Sequence, residues 1–296
     1  MQHDKLIKLT SRASVAVATS LVIVKFIAWQ QSNLISISAS LFDSLSDLLS
    51  SIVNFCTIMY AIKPADDDHR FGHGKAEALA GMLQSLLILI STLYVFTYSL
   101  FFSQKNVDHG LENHNKFIIF TVLLSLVLTL FLLILQKNTI KKTRSLVIEA
   151  DYLHYKNDML VNLAVLLAIF CTNYIWWFDV LIGGGIFFYV ILGAFEITKK
   201  SFEILMDKEL SDDTRRQILE IVNLNSKVIG VHELRTRSNG RNDFIQMHLD
   251  LDENLSLKEA HSIAEEVEQS ILSKFKNAEV LIHQDPYVEN PVKKTR

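Results

Sequence analysis

Six long apolar stretches dominate this sequence, at roughly 14–32, 36–60, 78–102, 117–136, 147–171 and 178–198. Each is long enough to cross a hydrocarbon layer of about 30 Å as a helix rising about 1.5 Å per residue. Backbone groups find no water there, so segments that satisfy their own hydrogen bonds, namely helices, are the expected form. The stretches 78–102 and 117–136 hold no charged residue at all.

Charge divides the chain. Residues 1–208 carry 33 charged side chains summing to +1, whereas the much shorter 209–296 carries 28 summing to −4. The first part is therefore read as a six-helix transmembrane domain and the second as a small cytoplasmic domain. The pattern excludes disorder, collagen-like repeats and a disulfide-stapled secreted domain. Cys56 and Cys171 both fall in apolar runs and are expected to be small buried hydrophobes. A net charge of −3 with no dense basic stripe argues against nucleic-acid binding.

Lysine and arginine counts set the orientation. One set of flanks holds Lys5, Lys8, Arg12, Lys63, Arg70, Lys75, Lys137, Lys141, Lys142, Arg144, Lys199 and Lys200. The opposite set holds only Lys105 and Lys116. Both termini are thus expected in the cytoplasm of a multi-pass protein, with short outer links near 30–33, 103–116 and 172–176. Residues 1–10 are polar and lack an apolar core, so the first stretch is read as a retained span, not a cleaved signal.

The tail has another grammar. Ser211-Asp212-Asp213 has the look of a helix start, and 229–238 and 241–251 read as strands around the turn Ser238-Asn239-Gly240. Ile245, Met247, Leu249 and Leu251 alternate with Gln246, His248 and Asp250, the period of a half-buried strand. Ser256-Leu257-Lys258-Glu259 fits a capping box that opens a second helix. A last strand runs from about 278 to 284 and stops at Pro286. The order αββαβ predicts an α+β domain.

The unusual residues are charges inside apolar runs. Asp43 and Asp47 lie four apart in the second stretch, with Ser36, Ser40, Ser50 and Asn54 near the same side. A carboxylate in mid-membrane costs at least about 2.5 kcal/mol, so a proton, a basic partner or a cation must offset it. His154 and Asp158 are also four apart, in the fifth stretch, with Asp151 and Asn162 on a neighbouring track. On facing helices the two pairs offer three carboxylates and one imidazole, a set suited to four-coordinate Zn²⁺. The competing reading puts His154 and Asp158 at a solvated inner edge. Lys25, Asp179 and Glu196 are expected to be interfacial groups or packing partners, not ligands.

Two further clusters have ligand spacing. Asp66, His69 and His73 fall in the loop 64–77, which otherwise reads as an acidic solvated loop. His232, His248, His261, His283 and Asp285 crowd the tail domain and could form one or two zinc sites, against scattered solvated histidines.

Asp43-x3-Asp47, the string Pro64-Ala65-Asp66-Asp67-Asp68-His69-Arg70-Phe71-Gly72-His73-Gly74-Lys75-Ala76-Glu77, and His154-x3-Asp158 resemble the cation diffusion facilitator family. The similarity extends to Leu281-Ile282-His283-Gln284-Asp285-Pro286 and is greatest to the bacterial zinc/cadmium/iron-efflux (ferrous-iron-efflux-like) group. It implies an inner-membrane homodimer of six-helix protomers, each with a metallochaperone-like cytoplasmic domain. It implies a proton-coupled antiporter, not an enzyme, that exports Zn²⁺ or Cd²⁺, with Fe²⁺ as an alternative main substrate. Carried over by motif, Asp43, Asp47, His154 and Asp158 are the transport site, and Asp66, His69 and His73 a loop site. His232, His248, His261, His283 and Asp285 become a binuclear cytoplasmic site, so zinc is structural as well as cargo. Lys75 and Asp207 fall where the family forms a charge interlock between protomers. The third acid of Asp66-Asp67-Asp68 leaves more than one ligand choice in the loop. The rivals are a membrane-anchored metal sensor, an importer and an intramembrane metalloenzyme; the last lacks His-Glu-x-x-His.

Overall fold

The computed structural model describes residues 2–32, 35–102, 116–170 and 176–287. It divides into two compact units, Met1–Phe202 and Glu203–Arg296. The division falls slightly before the change in composition.

The first unit is all helix: α1 (Gln2–Ser32), α2 (Ile35–Ala61), α3 (Lys75–Phe102), α4 (Lys116–Thr143), α5 (Leu146–Phe170) and α6 (Trp176–Leu205), whose last residues belong to the second unit. Among the described residues, four helices carry stretches long and apolar enough to cross a membrane: His3–Gln30, Ser40–Ala61, Lys75–Tyr94 and Leu123–Thr143. The expected outer links fall largely outside the described residues. Phe42, Leu49, Leu87, Ile90, Val127, Ile134, Leu192 and Phe195 are all exposed, a band of large side chains that suits lipid and not water.

Small and polar residues line the inside instead, as expected where lipid is as apolar as leucine and close backbone approach drives packing. Thr10, Ser11, Ser14, Ala18 and Ala28 of α1 are buried, and so are Ala150 of α5 and Ala194 of α6. A methyl group on Gly193 would sit 3.0 Å from Leu153, which shows how tightly α6 lies on α5. Apolar clusters fill the remaining space. Val17, Leu21, Leu132, Leu133 and Tyr155 join α1, α4 and α5, and Ile88, Leu153, Val190 and Ile197 join α3, α5 and α6.

Two expectations change here. Cys56 is exposed and not buried, because α2 turns its apolar side outward; Cys171 lies outside the described residues. The buried polar seam of α2 runs through Ser44, Asp47, Ser51 and Asn54, while Asp43 is exposed. The helical period carries Asp43 to the margin of the inward face.

In the second unit, α7 (Asp212–Asn223), β1 (Gly230–Ser238), β2 (Asp243–Leu251), α8 (Leu257–Lys274) and β3 (Ala278–Pro286) follow the αββαβ order. The sheet order is β1-β2-β3, with β1 antiparallel and β3 parallel to β2. The β1–β2 turn closes through Gly240 at φ 89° and through Asn239 Oδ1, which accepts from the amides of Arg241 and Asn242. β2 alternates as expected: Ile245, Met247, Leu249 and Leu251 are buried against Ile218 and Val222 of α7 and Ile263, Val267 and Ile271 of α8. That leaves the polar residues of β2 on the opposite face of the sheet, which neither α7 nor α8 covers.

Ser211 caps α7 by accepting from the Thr214 amide. Ser256 and Glu259 form the capping box of α8, each side chain accepting from the other's backbone N–H. Ser256→Ala is expected to lower the stability of this unit by about 1 kcal/mol, read as a shift in its unfolding midpoint with that of the helical unit unaffected.

Candidate metal centres

Three groups of ligand-type side chains stand out among the described residues: Asp47, His154 and Asp158; Asp66, His69 and His73; and His232, His248 and Asp285.

The first lies among the membrane helices. His154 Nε2 faces Asp47 Oδ1 at 2.8 Å and Asp158 Oδ2 at 3.5 Å. One ring nitrogen therefore stands between two carboxylates, one from α2 and one from its own helix. A proton on Nε2 and a metal ion bound to Nε2 exclude each other. Asp43, one turn before Asp47, does not join this group; it lies within electrostatic reach of Asp47, His154 and Lys25. Lys25 donates to the Ser40 carbonyl at 3.2 Å, so it turns toward α2 rather than the interface. Glu196 pairs with Lys200, which also reaches Glu149 of α5 at 2.9 Å. The Asp179 side chain lies outside the described ones.

Beneath this group sits a polar network that the sequence analysis did not single out. Asp151, one helical turn before His154, is 2 % exposed. Its Oδ2 accepts from Ser14 Oγ at 2.9 Å and Gln136 Nε2 at 2.7 Å, and its Oδ1 from Asn54 Nδ2 at 3.2 Å. Residues of α1, α2 and α4 thus converge on one carboxylate of α5. Ser51 and Tyr155 add a buried hydrogen bond of 3.1 Å between α2 and α5. These contacts fix the height and rotation of the helix that carries His154 and Asp158 against the one that carries Asp47.

The second group is built by a tight turn. The His69 amide donates to Asp66 Oδ1 at 2.7 Å, and the Asp66 amide returns to the His69 carbonyl. Asp66 Oδ1 and Oδ2 then lie 3.3 Å from His69 Nδ1 and His73 Nε2 respectively. The His69 amide bond, with the two histidines nearby, holds the Asp66 carboxyl below its ordinary pKa. Asp67 is instead paired with Arg70 at 2.9 Å, and of the three consecutive acids it is Asp66 that meets the two histidines. His73 is buried against Tyr60, and its Nδ1 has no hydrogen-bond partner among the described residues. A nitrogen and oxygen donor set of this kind suits a zinc-class ion.

The third group lies on the face of the sheet opposite α7 and α8. Pairing sets His232, His248 and His283 side by side across β1, β2 and β3. The ring centroids are 5.1 Å and 4.6 Å apart. Asp285 touches all three: Oδ2 lies 2.7 Å from His248 Nδ1 and 3.5 Å from His232 Nε2, and Oδ1 3.2 Å from His283 Nε2. Burial raises the Asp285 pKa, but the His248 hydrogen bond and the three imidazoles outweigh it and hold the group low. His261 stands on α8 paired with Glu265 at 3.3 Å, away from this row. Asp207 accepts from Arg237 of its own chain at 3.2 Å, and Lys75 opens α3.

Comparison with known proteins shows the family to which the chain belongs. The family model described as the cation efflux transmembrane domain matches residues 11–206, and that of the cation efflux protein cytoplasmic domain matches 210–287. A cation-efflux pump FieF of Shewanella oneidensis is 45% identical over 98% of this chain and 97% of its own. The pump of the same name from Citrobacter koseri is 39% identical over 94% of this chain and 93% of its own. A solved metal-bound C-terminal domain of the CzcD transporter from Thermotoga maritima is 28% identical over 25% of this chain and 87% of its own, at a TM-score of 0.24. With a helical membrane domain, an α+β tail and relatives that are pumps, the chain is a multi-pass cation-efflux transporter of the cation diffusion facilitator family, and not an enzyme.

Proposed function

We propose that this transporter exports Zn²⁺, and with it Cd²⁺, from the cytoplasm in exchange for protons, and that Asp43, Asp47, His154 and Asp158 are its transport site. The observation that carries the reading is the His154 Nε2 atom set between Asp47 and Asp158. Metal ligands must be deprotonated, so ions and protons compete for this one place. Histidine is the side chain whose ordinary pKa lies nearest neutral pH, which makes His154 the proton carrier. Open to a neutral cytoplasm, the site loads metal. Open to an acidic exterior, it takes protons and lets metal go. Asp43, exposed at the margin of the face, completes the fourth ligand position when α2 and α5 shift.

The same reading places the protein as a homodimer in a bacterial inner membrane with both termini in the cytoplasm. Asp66, His69 and His73 hold an ion in the loop. His232, His248, His283 and Asp285 hold two in the cytoplasmic domain, with His261 supplied across the dimer contact. Lys75 and Asp207 interlock the protomers; for Asp207 this requires exchanging Arg237.

The test is flux in sealed vesicles with Zn²⁺, Cd²⁺, Fe²⁺ and Mn²⁺ compared with and without a pH gradient. Zn²⁺ movement that ignores the gradient overturns proton coupling. Absence of movement for every metal leaves a membrane-anchored sensor, and faster Fe²⁺ than Zn²⁺ makes iron the main substrate. His154→Asp is expected to harden the site and move preference from Zn²⁺ toward Mn²⁺; an unchanged order of rates would remove His154 from metal choice.

A further inference from the structure

The strands β2 and β3 carry the same three-residue pattern, His248-Leu249-Asp250 and His283-Gln284-Asp285. They run parallel and in register, so His248 pairs with His283 and Asp250 with Asp285. Side chains two apart on a strand share a face. The face opposite α7 and α8 therefore holds a row of imidazoles and, beside it, a row of carboxylates. On β1 the row of histidines continues as His232, but the position opposite Asp250 is Gly230.

That glycine is where the carboxylate lies. A methyl group on Gly230 would fall 2.6 Å from Asp250 Oδ2, closer than real contacts allow. With the space free, Asp250 Oδ2 leans over β1 and reaches 3.4 Å from His232 Nδ1. The other nitrogen of that ring, Nε2, points at Asp285. The regular pairing of Gly230, Val231 and His232 with Asp250, Leu249 and His248 ends at a bulge just beyond His232, with Glu233 at φ 48°.

We propose that Asp250 is a positioning residue of the cytoplasmic metal cluster: it takes the Nδ1–H of His232 and so offers the ring to the ion through Nε2, beside Asp285. Histidines that bind metal commonly donate their second N–H to a carboxylate, which fixes the tautomer and raises the donor strength of the binding nitrogen. Gly230 is part of the same device, since any side chain there displaces the carboxylate. The inference rests on the cluster reading of His232, His248 and Asp285, and the experiment separates the two.

Zn²⁺ affinity is measured by chelator competition on the full chain in detergent, in a parent carrying Asp47→Ala, Asp158→Ala, His69→Ala and His73→Ala so that the sheet reports. Asp285→Ala tests the cluster; unchanged affinity there removes the cluster and Asp250 with it. Where Asp285→Ala weakens binding, Asp250→Asn is expected to weaken it about 10- to 100-fold. Gly230→Ala should do the same without touching any ligand. Asp250→Glu, which keeps the carboxylate, should regain most of the loss, and the metal-free unfolding temperature of Asp250→Asn should match the parent. Parental affinity in both Asp250→Asn and Gly230→Ala would overturn the proposal, as would a loss that Asp250→Glu does not repair. If Gly230→Ala does not fold, Asp250→Asn and Asp250→Glu decide.

Discussion

In sealed vesicles under an inward proton gradient, Asp47→Ala or Asp158→Ala should reduce Zn²⁺ flux to that of protein-free vesicles. Loss of a carboxylate that merely orients a ligand costs about 10- to 100-fold in metal affinity, so loss of a direct ligand should exceed about 100-fold. The two variants attack the site from different helices, Asp47 from α2 and Asp158 from α5. Each leaves His154 with a single carboxylate partner in place of the two it now faces. Neither residue accepts hydrogen bonds from the buried network one turn below, so the bundle should remain folded and elute as the parent does. Wild-type flux in both variants would dismiss the transport site altogether.

A second large effect is expected at Asp151, of a different kind. Its carboxylate accepts from Ser14, Asn54 and Gln136 in the interior of the bundle. Asp151→Ala leaves those donors in a dry space, at about 1–3 kcal/mol for each that finds no new partner. Gln136 already lies 3.2 Å from Ser14 Oγ, so part of the loss is recovered by that pair. A net loss of about 2–4 kcal/mol follows, to be read as a drop in unfolding temperature in detergent. Asp151→Asn should fall between, because an amide turns one N–H group toward donors. An unfolding temperature equal to the parent's in Asp151→Ala would show that the network re-pairs without the carboxylate.

The elements most legible in the sequence were those set by local rules. The capping residues Ser211 and Ser256, the Ser238-Asn239-Gly240 turn and the alternation of β2 all name their structure within a few residues. Asp47, His154 and Asp158 were legible because charge inside an apolar run demands a partner, and four-residue spacing gives a common face. Asp151 was seen on a neighbouring track but not as the centre of a network. Its donors Ser14, Asn54 and Gln136 come from three helices far apart in the chain, and a serine, an asparagine or a glutamine carries no signal by itself. The inward seam of α2 was placed near Asp43, because spacing along one helix gives relative angles but not the direction of its neighbours. Cys56 misled for the reverse reason: in a membrane helix an apolar position faces lipid as readily as protein. Asp250 was visible only as an outward residue of β2. The repeat of His-x-Asp in β3 was the signal that pairs it with Asp285, and the parallel register was needed to use it.

The two kinds of scaffold would give ions bound there different freedom. On the sheet, backbone pairing ties the row of histidines together at the strand spacing of about 4.8 Å, and none of the three strands can shift without tearing a ladder. On the proposed reading, such a frame would hold an ion and change little in doing so. The trio in the membrane hangs from two separate rods, α2 and α5, which no backbone hydrogen bond joins. If this trio is the transport site, as proposed, a slide of one helix along the other would dismantle it and let cargo go.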